Sequence, residues 1–384
     1  MSESAHLVPA EIRIEPSDIP IYRAARHPTS FQGCTQVNQI FLKADGKITC
    51  SCVRYYHILE EAKNINVAEW YNGEIMTYIR DSFKEGYEPF SFCKGCIARK
   101  SVVDVDEASR LVELHIEPSN QCNLFCAVCT CTDERRSANP PARVNVDFAL
   151  FEKMLNEFVE GGLTVAQISF VGFGEPLFNS ELPKMARLSR EAFPNSRILV
   201  DTNANFGWKR AAELADCGIS EIRLALDGTS QVPYETYRAS GNFQKAFSFA
   251  ATLAKEVKAR GSKTQLTWKY ILFRHNDSDA EILKAVEMAK EIGLALRFDL
   301  TAGDLASKRD LSEIDALVRG TVEFGSNMDL RAAEDDPPAL LDKVSSADEA
   351  VGIPPKRPGI LEKLRNTLGH LARMKKTDGD HLRG

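Results

Sequence analysis

The chain has 384 residues, 43 % of them apolar and 27 % charged, with a formal net charge of −6. That apolar share excludes general disorder, and the length favours two folded units over one. No run approaches the roughly 20 apolar residues of a membrane span, no export signal is recognisable at the start, and mild acidity argues against a protein that coats nucleic acid.

Ten cysteines in such a chain are either disulfides of a secreted protein or metal ligands in a reducing compartment. Their clustering predicts metal ligands and, with no export signal, a cytoplasmic location. The first cluster falls in residues 1–105. Asp45-Gly46-Lys47 reads as a hairpin turn leading into a strand that delivers Cys50. A helical stretch over 67–83 carries Trp70-Tyr71-Asn72, and Cys93-Lys94-Gly95-Cys96 follows. Cys34, Cys50 and this Cys-x2-Cys knuckle supply four thiols, enough to close an iron–sulfur cluster or a zinc site. Cys52, two residues after Cys50, competes with it as the ligand.

A strand is predicted over 111–116, and alternation puts Glu113, His115 and Glu117 on one face. Next comes Cys122-Asn123-Leu124-Phe125-Cys126-Ala127-Val128-Cys129. Three thiolates at this spacing can hold three corners of a four-iron cluster and leave the fourth iron open to a small molecule. Structural zinc, with Cys131 as fourth ligand, is the competing reading. The polar, proline-containing stretch 137–143 is a flap or simply a long loop.

Strands then alternate with helices: strands at 165–171, 198–200, 221–226, 266–272 and 294–300, helices at 148–160, 182–192, 208–217, 243–259 and 279–292. Phe148, Phe151, Met154, Leu155 and Phe158 share one helical face. Gly161-Gly162, Gly218 and Gly293 stand where C-terminal caps belong. The alternation means a parallel sheet. About six such units suit a partial barrel or an open sheet; spacing alone does not choose between them, and the barrel follows from the resemblance given below.

The barrel's inner face is polar by this reading: Arg223 and Asp227 on one strand, Lys269 on the next, Arg297 and Asp299 on the last. Cys217, alone, reads as a buried inert thiol. Beyond 331, Asp335-Asp336-Pro337-Pro338 and Pro354-Pro355 mark a linker. A last helix over 360–376 aligns Leu361, Leu364, Leu368 and Leu371 opposite a basic side with Lys363, Arg365, Arg373, Lys375 and Lys376. It packs on its own domain or docks a partner or anionic surface.

The Cys-x3-Cys-x2-Cys run followed by this alternation resembles the radical S-adenosylmethionine (radical SAM) enzymes, over roughly 111–300. Gly172-Phe173-Gly174-Glu175-Pro176 is similar to that family's Gly-Gly-Glu-Pro turn, with Phe173 replacing the first glycine. Asp201-Thr202-Asn203, Leu226-Asp227-Gly228, Tyr234 to Arg238, and Ile271-Leu272-Phe273 with Asn276 fall at the next stations. The upstream hairpin, Trp-containing helix and knuckle resemble the auxiliary-cluster domain known as SPASM and its shortened form, twitch. Here that element precedes the barrel, where relatives place it after.

The resemblance implies an α/β fold: a partial (β/α)6 TIM-type barrel over 106–330, a small cysteine-rich α+β iron–sulfur domain over 1–105, and a linker with helix over 331–384. It implies a catalytic [4Fe-4S] cluster on Cys122, Cys126 and Cys129, S-adenosylmethionine bound to it, and a second auxiliary [4Fe-4S] cluster on Cys34, Cys50, Cys93 and Cys96. Reductive cleavage would yield a 5′-deoxyadenosyl radical, with electrons from a low-potential donor of flavodoxin or ferredoxin type. Gly174, Glu175 and Pro176 would hold the methionyl amino end and Arg238 the carboxylate. Thr202, Asn203 and Asp227 are candidates for ribose contacts, and Leu272 for the adenine. Where many relatives carry serine, this chain has Ala225. The substrate is expected to be a sugar- or alcohol-like small molecule, or else a peptide. Residues 1–31 are too short for the leader-binding domain of many peptide-modifying relatives. From another class, the alternative is a zinc-stabilised interaction module for protein or nucleic acid on a barrel scaffold.

Overall fold

The structure is a computed structural model and describes residues 10–29, 33–34, 37–51, 55–94, 96, 99–100, 105, 110–127, 129, 132–136, 140–301 and 303–326. All of these fall in one compact unit, Met1–Leu330. The expected C-terminal helix lies outside the described residues, as do Cys52 and Cys131.

Four short strands of the main sheet precede the barrel, β1 (Ile12–Arg13), β2 (Gln39–Leu42), β3 (Lys47–Thr49) and β4 (His57–Glu61), while Gly33–Cys34 pairs antiparallel with Arg99–Lys100 in a separate two-stranded sheet. Seven more follow: β5 (Leu111–Ile116), β6 (Thr164–Phe170), β7 (Arg197–Thr202), β8 (Glu221–Ala225), β9 (Gln265–Ile271), β10 (Ala295–Leu300) and β11 (Glu323–Ser326). They form one 11-stranded sheet in the order β1-β4-β3-β2-β5-β6-β7-β8-β9-β10-β11. From β5 onward every pairing is parallel and each strand pairs with its successor in sequence. A doubly wound sheet reverses its order at a switch point; this one advances in a single direction, as a barrel wall does. β11 is one strand more than expected, because Glu323-Phe324-Gly325-Ser326 carries no apolar run to betray it.

Helices α1 (Ile19–Ala25), α2 (Val67–Tyr71), α3 (Glu74–Lys84), α4 (Thr132–Arg135), α5 (Phe148–Glu160), α6 (Leu182–Ala192), α7 (Trp208–Leu214), α8 (Gln231–Tyr237), α9 (Phe243–Ala259), α10 (Asp279–Ile292) and α11 (Leu311–Val318) complete the fold. Side-chain caps start α5, α9 and α10: Asp147 accepts from Leu150 N, Asn242 from Lys245 N and Ser278 from Glu281 N. Phe151, Met154, Leu155 and Phe158 of α5 are fully buried. Each stabilises the fold by roughly 1.5–3 kcal/mol.

Strand alternation sorts the sheet into two faces. Leu224, Trp268, Tyr270 and Phe298 join the main core with the helices. Arg223, Lys269, Arg297 and Asp299, one residue out of step, take the opposite, inner face. No helix among the described residues is long and apolar enough to cross a membrane.

On the N-terminal side, β2 pairs in parallel with β5, Gln39 with Glu113 through Leu42 with Ile116. The cysteine-rich segment therefore extends the barrel wall. The helical stretch over 67–83 is two helices. Asn72 ends α2 and Gly73 starts α3, with a Cβ on Gly73 standing only 3.0 Å from Trp70 O. The predicted hairpin turn is present, with Gly46 at φ 84°.

Candidate active site

The loop after β5 brings three cysteines to the C-terminal ends of the strands. Phe125 N donates to Ala239 O and Ala127 N to Tyr237 O, both at 2.9 Å, which pins the loop to the chain around the end of α8. Cys126 is buried in a small cluster with Leu124, Tyr237, Ile271 and Phe273, and Cys122 and Cys129 pack against it. Each thiol has a nitrogen donor from a different element. Asn203 Nδ2 lies 3.7 Å from Cys122 Sγ, Arg238 Nη1 3.5 Å from Cys126 Sγ, and Arg135 Nη2 4.0 Å from Cys129 Sγ.

This donor set fits an iron–sulfur cluster. Burial pushes the Cys122 thiol up to about 11 and raises Cys126 as well, so neither ionises readily without a compensating cation. Iron supplies that charge, and thiolate is its preferred soft ligand. Among the described residues, no three His, Cys, Asp or Glu side chains close on a single point as one metal ion requires.

The residues expected to touch S-adenosylmethionine converge here, but several are tied to one another. Glu175 is buried; its carboxylate accepts from Thr202 Oγ1 at 2.6 Å, Asn203 N at 2.7 Å and Leu177 N at 3.1 Å. Burial still pushes its pKa up to about 7. It braces the end of β7 and the turn Pro176–Phe178 that follows it. Gly174 is a glycine because a Cβ would stand 2.0 Å from Ser119 O: its close neighbour is the incoming cysteine loop.

Asp227 is fully buried, its Oδ2 accepting from Arg238 Nε at 2.5 Å and its Oδ1 from Ile271 N at 2.6 Å. Each oxygen thus accepts one bond from within the protein, and a carboxylate has acceptor capacity beyond these two. Burial opposes the Arg238 charge, but Asp227 and Cys126 outweigh it and hold the guanidinium protonated. Asn203 spans Cys122 and Asn123 Oδ1, and the next residue, Ala204, takes the left-handed φ of 59°.

Leu272, expected beside the adenine, packs in the main core; its neighbours Ile271 and Phe273 are the ones that turn to the cysteines. A one-residue step flips the face. Asn276 ties two strand ends, donating to Asp227 O at 3.1 Å and Ile271 O at 3.0 Å. Sequence reasoning gave Arg135 and Tyr55 no role and placed Glu117 only on a strand face. Arg135 carries a weak signal, a cation shortly after the third cysteine.

The second cysteine set gathers as well. Cys34, Cys50, Cys93 and Cys96 line one pocket with Met76, Ile79, Phe83, Phe90 and Phe92. Burial first, then the neighbouring Cys50, Cys34 and Cys96, raise the Cys93 thiol well above its ordinary value. The inner barrel face is ionic: Arg223 contacts Glu221 at 3.0 Å and Asp201 at 3.9 Å, and Asp299 receives Arg297 at 2.6 Å and Lys269 at 3.5 Å. Asp201 Oδ1, Asp299 Oδ2 and His115 Nε2 are buried there without a hydrogen bond, although Asp299 Oδ2 faces Lys269 and His115 Nε2 lies 3.7 Å from Glu113 Oε2.

Comparison with known proteins accords with this geometry. The family described as "Radical SAM superfamily" matches residues 116–289. A protein named probable GTP 3′,8-cyclase from Archaeoglobus fulgidus is 30 % identical over 141 residues, 36 % of this chain and 44 % of its own length. A GTP 3′,8-cyclase from Nitrobacter hamburgensis is 26 % identical over 216 residues, 53 % of this chain and 58 % of its own. The chain thus matches less than two thirds of the length of either relative. A solved radical SAM methyltransferase from Sphaerobacter thermophilus shares 16 % identity over 54 % of this chain and 63 % of its own, with a TM-score of 0.41.

Proposed function

We propose, from the premise that residues 116–289 make this chain a member of the radical SAM superfamily, that it reductively cleaves S-adenosylmethionine at a [4Fe-4S] cluster on Cys122, Cys126 and Cys129. It then oxidises or otherwise modifies a sugar- or alcohol-like small molecule or a peptide. The observation that carries this is the gathering of three thiols, each with its own nitrogen donor, beside the buried Arg238–Asp227 pair. When bound, the cluster and S-adenosylmethionine supply reductive carbon–sulfur cleavage and hydrogen-atom abstraction.

The protein's own residues orient and shield. Arg238 places a fixed positive charge against the cysteine loop, and Asp227 holds it there. Glu175 locks Thr202 and Asn203 at the strand mouth. Substrate would enter the inner face, where Arg223, Lys269 and Arg297 are already offset by Asp201, Glu221 and Asp299. A ligand bringing both donors and acceptors suits such a surface better than a polyphosphate, because buried polar atoms without partners are costly.

Cys34, Cys50, Cys93 and Cys96 would hold the auxiliary cluster. Cys50 lines the same pocket as the other three; the competing Cys52 lies outside the described residues. Four thiolates leave no iron open, so electron transfer or fold stability is its role. A flavodoxin- or ferredoxin-type protein would deliver the electrons.

Anaerobically purified protein is expected to be brown, with about eight irons per chain, and to release 5′-deoxyadenosine on reduction with S-adenosylmethionine. A colourless, zinc-loaded protein would instead support the interaction-module alternative.

A further inference from the structure

Glu117 sits where three parts of the molecule meet, and the chemistry above does not use it. It follows β5 directly and is 0 % exposed. Its Oε2 accepts from Ala44 N at 3.0 Å and Tyr55 OH at 2.8 Å, on the segments that flank Cys50. Its Oε1 accepts from Phe173 N at 2.7 Å, in the turn beside the catalytic cysteines. That turn lies flush against it, for a Cβ on Gly172 would stand 2.4 Å from Glu117 Cγ.

Phe173 is half-buried and is held through both its ring and its backbone. Its ring stacks on Tyr55, with centroids 4.1 Å apart and planes 17° from parallel. Lys43 Nζ sits 4.2 Å from the Tyr55 ring centroid. The Phe173 carbonyl accepts from Arg135 Nη1 at 3.2 Å, and Arg135 Nη2 reaches Leu124 O at 3.1 Å and Cys129 Sγ at 4.0 Å. A series of contacts therefore runs from Ala44 and Tyr55, on either side of Cys50 in sequence, through Glu117, Phe173 and Arg135 to Cys129. A glycine at 173 would provide the backbone bonds but not the stack.

We infer that Glu117 and Phe173 are positioning residues that couple the four-cysteine pocket to the S-adenosylmethionine site, so that filling the first tightens the second. The inference rests on the functional reading above. Its physical basis is that Glu117 is buried and shared: a shift of Tyr55 or Ala44 either drags the carboxylate, and Phe173 with it, or strands a polar atom where no water replaces the lost bond. Such coupling is reciprocal and typically changes affinity 5- to 150-fold, roughly.

The test is a double-mutant cycle on the loaded protein. The dissociation constant for S-adenosylmethionine is read from the change it causes in the electron paramagnetic resonance of the reduced three-cysteine cluster. Cys93→Ser, which empties the upstream pocket, is expected to weaken binding about tenfold with Phe173 present and less than twofold in a Phe173→Gly background. Tyr55→Phe keeps the stack and removes one bond to Glu117, so it should fall between the two. Amide exchange over 172–176 in protein without S-adenosylmethionine should quicken on Cys93→Ser only where Phe173 is retained. Equal factors in both backgrounds, or no effect of Cys93→Ser in either, overturn the coupling while leaving the functional reading intact. A wild-type cluster whose signal ignores S-adenosylmethionine overturns the functional reading, and the coupling with it.

Discussion

The two cysteine sites use the same ligand in opposite surroundings. The pocket of Cys34, Cys50, Cys93 and Cys96 is walled by Met76, Ile79 and the rings of Phe83, Phe90 and Phe92. The loop of Cys122, Cys126 and Cys129 is reached by Asn203, Arg135 and Arg238. On the proposed function, an apolar wall would protect a group that needs no visitor. Nitrogen donors and a fixed cation would serve a group whose charge changes as a ligand arrives, since outer contacts to ligating atoms tune the metal. The contrast would then separate a site for holding from a site for reacting.

The sharpest way to break that contrast is Cys126→Ala. About four of the eight irons should be lost and release of 5′-deoxyadenosine should disappear, while Cys217→Ala, at a buried thiol that donates to Leu214 O, should leave the iron count unchanged. Iron analysis with product assay decides it; cleavage surviving in Cys126→Ala would reverse the assignment of the two sites.

Next in size is Arg238→Ala. It leaves Asp227 charged and unpaired at 0 % exposure, and should cost about 3–5 kcal/mol in urea unfolding. Asp227→Asn in the same chain should recover part of that loss. An effect below about 1 kcal/mol would mean that the pair behaves as a surface ion pair.

The smallest effect sharpens the reacting site through pH. Glu175 has its pKa raised from 4.5 to about 7, chiefly by burial. The folded state thus holds this proton more tightly than the unfolded chain. Its contribution to stability is complete below pH 4.5 and is lost as pH rises through about 7. The loss is at most on the order of 3 kcal/mol. Melting curves from pH 4.5 to 8 should show the decline, and Glu175→Gln should flatten it.

Much of the barrel was legible from local pattern. Helix bounds at Phe148–Glu160, Leu182–Ala192, Phe243–Ala259 and Asp279–Ile292 follow from apolar spacing and caps, which are local in sequence. β11 was not legible, since its four residues include a glycine and a glutamate. The cysteine sets were legible because a thiol cluster is rare and chemically specific. The fate of Asp227 and Leu272 was not: one oxygen of Asp227 meets a strand 44 residues on, and the side of Leu272 depends on a single step of strand phase.

The amino-acid order alone determined that strand and helix alternate and which thiols are candidates for the chemistry, because apolar period and thiol spacing are written within a few residues. Only the tertiary structure decided how those residues are shared: that Glu175 and Asp227 turn inward to brace the site, and that Glu117 joins the N-terminal segment to the turn at Phe173. Partners of a buried carboxylate are selected by proximity across the sheet after the chain has closed, and nothing in local sequence encodes that distance.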